Sequence, residues 1–244
     1  MSSYHWDWSV FTQIADDDRF YYQWLIEGLG WTCKVAVCSF FIAFILGSIL
    51  GIMRTTENKI LQFISNVYVE FFRNIPLIVQ LFLWFHVVPE IVPENLGTYI
   101  KQDVPAWFLA IIGLSLFTSA RIAEQVRSGI MTIPSGQKMA GLALGLTEWQ
   151  TYLYIRIPMA YRIIMPTLTS ESMNIFKNSS VTFAVGVLEV FFYGKQIIEK
   201  TAQEYEILTA VALIYIFVAL CANIIMSLIE KYTRVPGFIA KGSK

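Results

Sequence analysis

Three uninterrupted apolar runs constrain this chain more than any other feature. Val35 to Met53 gives nineteen residues without a charge, Val104 to Ala120 seventeen, and Ile207 to Ile229 twenty-three. A helix needs about 20 mostly apolar residues to cross the hydrocarbon core of a bilayer, so each run reads as a membrane span. Two further candidates are weaker. Ile75 to Val88 gives fourteen residues and reaches spanning length only when extended back through Tyr68 to Phe72, which brings in Glu70 and Arg73. Ile164 to Val190 carries Glu171, Lys177 and Glu189, and its stretch from Asn178 to Leu188 taken alone has the pattern of a buried strand. Composition points the same way. Hydrophobic residues make up 56% and charged residues 15%, against about 45–50% and roughly 25% in a soluble domain. That excludes a water-soluble enzyme and a disordered chain. The net charge of zero offers no field for nucleic acid.

Charge placement sets the orientation. Ten Lys and Arg residues follow the first, third and fifth candidate spans, from Arg54 and Lys59 to Lys241 and Lys244, and only Arg19, Lys101, Lys195 and Lys200 lie in the opposite segments. Basic residues favour short cytoplasmic loops. The expected architecture is an all-α polytopic membrane helix bundle of five transmembrane helices, N-terminus outside and C-terminus cytoplasmic. Residues 1–27 form a periplasmic or interfacial segment, 28–231 the membrane domain and 232–244 a cytoplasmic tail. The longest internal loop is cytoplasmic, about 128–161. Asp16-Asp17-Asp18 is the reverse of a basic signal-peptide start, and Trp6, Trp8, Phe11, Tyr21, Tyr22 and Trp24 read as an outer-face aromatic belt or a short interfacial helix.

No sequence motif for catalysis, metal or nucleotide binding is present. Cys33, Cys38 and Cys221 sit in or at apolar runs, without a CxxC. Gly136/Gly141 and Gly237/Gly242 have P-loop spacing but are not followed by Lys-Ser/Thr. Energy for any work must come from an ion gradient or from another subunit.

Charges inside spans cost about 2.5–3.5 kcal/mol each and mark function by default. Here they form stripes. Glu70, Arg73 and Asn74 share a helix face, as do Arg121, Glu124 and Gln125, and Glu171, Asn174 and Asn178 line a third, with Lys177 and Ser179 beside it. Two readings stay open: structural ion pairs of Arg73, Arg121 and Lys177 with Glu70, Glu124 and Glu171, or a polar pathway through the bundle. Glu189 reads as snorkelling outward. Pro76 suits a kinked, pore-lining helix, and Gly47-x-x-x-Gly51 permits close helix packing. The stretch from Ile133 to Pro158 is too mixed to span. Its prolines, Pro134 and Pro158, bracket the small residues Gly136, Ala140, Gly141, Ala143 and Gly145, which suits a short docking helix on the cytoplasmic face.

That stretch resembles the signature loop of permease subunits of binding-protein-dependent ABC importers, Glu-Ala-Ala-x3-Gly-x9-Ile-x-Leu-Pro. Met139-Ala140-Gly141 stands for the opening triplet, Gly145 for the glycine, and Ile155-Arg156-Ile157-Pro158 for the close. Met139 replaces the acid and Gly141 an alanine. Phe72 to Gln80, Arg121 to Ile130 and Phe176 to Ser180 resemble motifs of the polar amino-acid uptake subfamily. Trp6 to Phe11, Val69 to Gly97 and Val235-Pro236-Gly237 are similar to its glutamate/aspartate branch. The resemblance implies the type I ABC importer permease fold in a bacterial inner membrane. It also implies three kinds of partner: a second permease subunit, a periplasmic substrate-binding protein, and a cytoplasmic ABC ATPase dimer that holds the ATP and Mg. No cofactor is then expected in this chain. Gly136, Met139, Ala140, Gly141, Gly145, Ile155 and Pro158 would contact the ATPase. An anionic amino acid needs cations and polar donors along its path, which points to Arg73, Arg121 and Lys177 with Asn74, Asn174, Asn178 and Ser179, while Glu124 or Glu171 would hold the ammonium group or balance an arginine. The rival is a stand-alone ion-coupled carrier using those carboxylates, which would have no need of a docking helix.

Overall fold

The computed structural model describes residues 4–233. The tail from Arg234 on, with Val235-Pro236-Gly237, lies outside the described residues. The helices are α1 (Tyr21–Met53), α2 (Lys59–Asn74), α3 (Leu77–Phe82), α4 (Val88–Ile91), α5 (Glu94–Gln102), α6 (Ala106–Thr132), α7 (Ser135–Ala143), α8 (Glu148–Thr151), α9 (Ile157–Ser179), α10 (Val190–Thr201) and α11 (Glu204–Thr233). Among the described residues there is no strand, only one isolated antiparallel bridge between Ile14 and Phe20. The stretch from Asn178 to Leu188 is helical at its start and continues as a 3-10 turn at Ser180–Val185.

Three helices, α1, α6 and α11, are long and apolar enough to cross a membrane, and two broken helix pairs would raise the number to five. The breaks have local causes. Pro76 does not kink a continuous helix, as its position suggested. The helix ends at Asn74, Ile75 takes an extended backbone (φ −99°, ψ 127°), and α3 starts afresh at Leu77. A residue before proline is pushed out of the helical region, and proline has no N–H to continue the ladder. The second break follows Gly186, whose φ of +81° ends the 3-10 turn, and α10 leaves at 51° to the helix before it. Much of the stretch 128–161 is helical. Helix α6 continues to Thr132, and the chain is helical again from Glu148, through a π turn at Tyr152–Arg156 that absorbs Pro158, into α9.

The chain divides into two compact units: residues 1–40, 76–115 and 174–221 in the first, and 41–75, 116–173 and 222–244 in the second. The first is built on Val10, Tyr21, Trp24, Leu25, Val190, Tyr193, Ile197, Ile207 and Val211. Tyr21 and Trp24, expected in an aromatic belt, are core residues, and the Trp24 indole donates to Asp17 at 3.1 Å. Trp6 and Trp8 do stay about half exposed and stack with centroids 5.4 Å apart. Glu189 does not snorkel. It is fully buried as the cap of α10, accepting from the backbone N–H groups of Phe191 (2.9 Å) and Phe192 (2.8 Å) and from the Tyr215 hydroxyl. Burial is tolerable because three donors satisfy the carboxylate.

In the second unit α1 and α6 cross at the closest approach their sequences allow. A methyl group on Gly47 would lie 2.7 Å from the Ser119 carbonyl, and one on Gly51 2.7 Å from that of Ala123. Two glycines four residues apart thus meet two carbonyls four residues apart. Backbone cannot yield as a side chain can, so Gly51→Ala must push the helices apart. The expected cost is about 1–3 kcal/mol, read as a lower thermal midpoint of the purified complex. An unchanged midpoint would mean that the crossing adjusts freely.

Candidate functional site

Helix α6 carries the site of the second unit. Glu124 is the hub. Its Oε1 accepts from Arg127 Nε at 3.1 Å and Nη2 at 2.5 Å, and its Oε2 accepts from Arg54 and lies 3.5 Å from Arg73 Nη1. Asn66 accepts from Arg54 Nε at 2.7 Å, which fixes the guanidinium. One turn before Glu124, Arg121 Nε donates to Oε1 of Glu171 at 2.8 Å, and Gln125 Nε2 donates to Oε2 at 3.4 Å. Glu171 is buried on α9. Helical spacing explains the grouping: Arg121, Glu124 and Gln125 rise from one face of α6.

These groups border a cleft of about 440 Å³, lined by Arg73, Arg121, Glu124 and Gln125 with Ser128, Ile163, Ile164 and Thr167. Arg73 and Arg121 keep 48% and 43% of their side chains exposed while Glu171 keeps 3%, so Arg121 faces the cleft with its counter-ion behind it, and Arg73 shares the cleft edge with Glu124. Four guanidiniums share two carboxylates here. Arg73 and Arg121 are thus ion-paired and still face the cleft.

The pairing differs from the expected one. Arg73 meets Glu124, and Glu70 is exposed. Arg121 meets Glu171, a partner fifty residues away that the sequence could not choose. Asn74, the exposed last residue of α2, is outside the cleft's lining. Asn174, Lys177, Asn178 and Ser179 belong to the first unit. There the Ser179 hydroxyl is buried and donates to the Phe176 carbonyl at 2.7 Å, and Lys177 sits exposed in the last turn of α9, where a cation suits the helix end. Arg54, which the sequence offers only as one of the basic residues after the first apolar run, is a member of the site that sequence reasoning missed, and its place directly after that run is the one available signal.

Arg121→Lys is expected to lower uptake about tenfold, since lysine cannot hold Glu171 and face a carboxylate with a second edge. Uptake equal to wild type in reconstituted vesicles would leave Arg121 a structural partner only.

The segment after Pro134 forms a discrete element. Helix α7 ends in a Schellman turn: Leu146 N–H donates to the Gly141 carbonyl at 3.1 Å, Gly145 N–H to that of Leu142 at 3.0 Å, and Gly145 takes φ +84°. Gly136 and Ala140 are exposed, as are Met139 (69%) and Leu144 (83%). Gly141 faces the other way. A methyl group there would lie 2.9 Å from Thr151 and Ile155, which is why glycine stands where the family pattern has alanine. Ile155 is half-buried beneath it, and Pro158 is exposed.

Long apolar helices and a cleft edged by arginines suit a membrane transport component. The chain belongs to the family of inner membrane components of binding-protein-dependent transport systems, whose pattern matches residues 43–235. It is 40% identical over 240 residues to the glutamate/aspartate import permease protein GltJ of Escherichia coli K12, covering 96% of this chain and 98% of that one. It is 29% identical over 231 residues to the glutamate/aspartate import permease protein GltK of Escherichia coli O157:H7, covering 94% and 99%. A crystal structure of an amino acid ABC transporter with histidines superposes with a TM-score of 0.76 at 27% identity, covering 87% of this chain and 95% of that one. Family membership sets aside a stand-alone ion-coupled carrier.

Proposed function

We propose that this chain is a permease subunit of an ATP-driven importer that carries glutamate and aspartate across the bacterial inner membrane. The observation that carries the reading is the cationic edge of the cleft. Arg73 and Arg121 face it, Glu171, which balances Arg121, is buried behind it, and Glu124, which balances Arg73, lines it with them. A dicarboxylic amino acid bears two negative groups and one positive one, so it suits a low-dielectric path with more guanidinium than carboxylate. Glu124, at the edge of the same cleft, is the group for the ammonium. The likeness to GltJ supports the same substrates.

The rest of the assembly follows from the family. Each broken helix pair counts as one span, giving five with the N-terminus outside. A periplasmic binding protein delivers the amino acid, and a second permease subunit completes the path, as the separate likenesses to GltJ and GltK suggest. A cytoplasmic ATPase pair binds ATP and Mg and engages α7 through Met139, Ala140 and Leu144. With Met139 in place of the acid, that contact is apolar.

The test is ATP hydrolysis by the whole complex in vesicles, with binding protein supplied. Glutamate and aspartate should stimulate it, and lysine should not. Equal stimulation by glutamine would move the substrate to polar amino acids at large, and stimulation by lysine alone would overturn the reading.

A further inference from the structure

Lys34 stands in α1 with its ammonium 4.4 Å from the ring centre of Trp31 and 4.2 Å from that of Trp107. Trp107 opens α6, and the two indoles lie 6.0 Å apart, tilted by 36°. Both rings therefore hold the cation from adjacent sides. Among the described residues no carboxylate pairs with it. In the same unit Asp17 and Glu27 are taken by Arg19, Glu90 by Lys101 and Asp16 by Lys200. Lys34 is exposed, and so are Ile26, Gly30, Val37 and Cys38 at helical spacing. A methyl group on Gly30 would meet nothing within 4 Å. A positive charge without a protein counter-ion therefore stands on an outward apolar face of a membrane helix.

Its depth says what can balance it. Lys34 is seven residues past Glu27, or about 10 Å along the helix. A lysine stem reaches along apolar surface toward the boundary, and indoles collect at that boundary. The abundant anion at that level is the phosphate of a phospholipid. We propose that Lys34, Trp31 and Trp107 form a binding site for an anionic phospholipid, the ammonium and the indole N–H groups donating to phosphate oxygens. A headgroup without its own cation fits best, because the lysine already lies over both indoles and would repel a second ammonium there.

The test is native mass spectrometry of the complete complex in mild detergent, titrated with phosphatidylglycerol or phosphatidylcholine. One phosphatidylglycerol per copy of this chain should persist. Lys34→Met should lower that occupancy about fivefold, Trp107→Leu should lower it too, and Lys34→Arg should retain it. The latter two variants decide the matter if Lys34→Met accumulates poorly. Equal occupancy in wild type, Lys34→Met and Trp107→Leu would overturn the site, and equal retention of phosphatidylcholine would overturn the anionic preference. Loss of a second permease subunit from Lys34→Met, with lipid unchanged, would assign the face to a subunit contact instead.

Discussion

Glu124→Gln is expected to lower amino-acid uptake about thirtyfold, the equivalent of about 2 kcal/mol. The side chain holds Arg54, Arg73 and Arg127 together, and it remains 27% exposed. Breaking a buried pair costs about 3–5 kcal/mol because the surviving charge is stranded, and partial exposure reduces that figure. Glutamine keeps the shape and one acceptor but leaves three guanidiniums repelling one another beside the cleft. Two consequences follow, a lower thermal midpoint and a cleft whose cations have lost their fixed positions. Glu124→Asp keeps the charge and should fall between the two. Combining Glu124→Gln with Arg54→Met removes one stranded cation, so the pair should be less harmful than the two single effects added. Full uptake and an unchanged midpoint in Glu124→Gln would show that the arginines need no common counter-ion, and the hub would then have no functional weight.

How far the sequence led can be judged from these same residues. Runs such as Val35 to Met53 announce their helices because nothing but a bilayer or a large core accommodates them. The face shared by Arg121, Glu124 and Gln125 was legible because helical spacing is a local property. Their partners were not. Arg121 bonds to Glu171 and Arg54 to Glu124, pairs fifty and seventy residues apart, and only the packing of α6 against its neighbours selects them. Local charge spacing favoured Glu70 for Arg73, but Glu70 points outward. Glu189 shows the opposite failure. A carboxylate near a span end reads as snorkelling, and the left-handed turn at Gly186 that starts a new helix and makes Glu189 its cap leaves only a glycine as its trace. The stretch after Pro134 was legible as a short helix between prolines. Its length was not, because a π turn lets the chain remain helical up to and through Pro158.

Gly145 separates the two reasons a glycine can be fixed in such a loop. If size mattered, a larger side chain would collide with the ATPase. Within this chain nothing lies within 4 Å of where its first side-chain carbon would be, but its φ is +84°. A side chain in the left-handed region costs about 1–2 kcal/mol, and asparagine tolerates it best. The order of variants is therefore expected to follow backbone preference. Gly145→Asn should retain the ATPase in a detergent pull-down. Gly145→Ala, although smaller, should retain less. Gly145→Val, β-branched, should lose association about five- to thirtyfold, the range that cost corresponds to. The reverse order, alanine above asparagine, would place the restriction in the ATPase surface rather than in the turn. Full retention by all three would remove the end of α7 from the docking contact. Leu144, the most exposed apolar side chain of this segment, stands inside the Schellman turn, one residue before Gly145. A strained turn would re-aim that side chain, so a single dihedral at Gly145 controls whether the helix presents its apolar face to a partner.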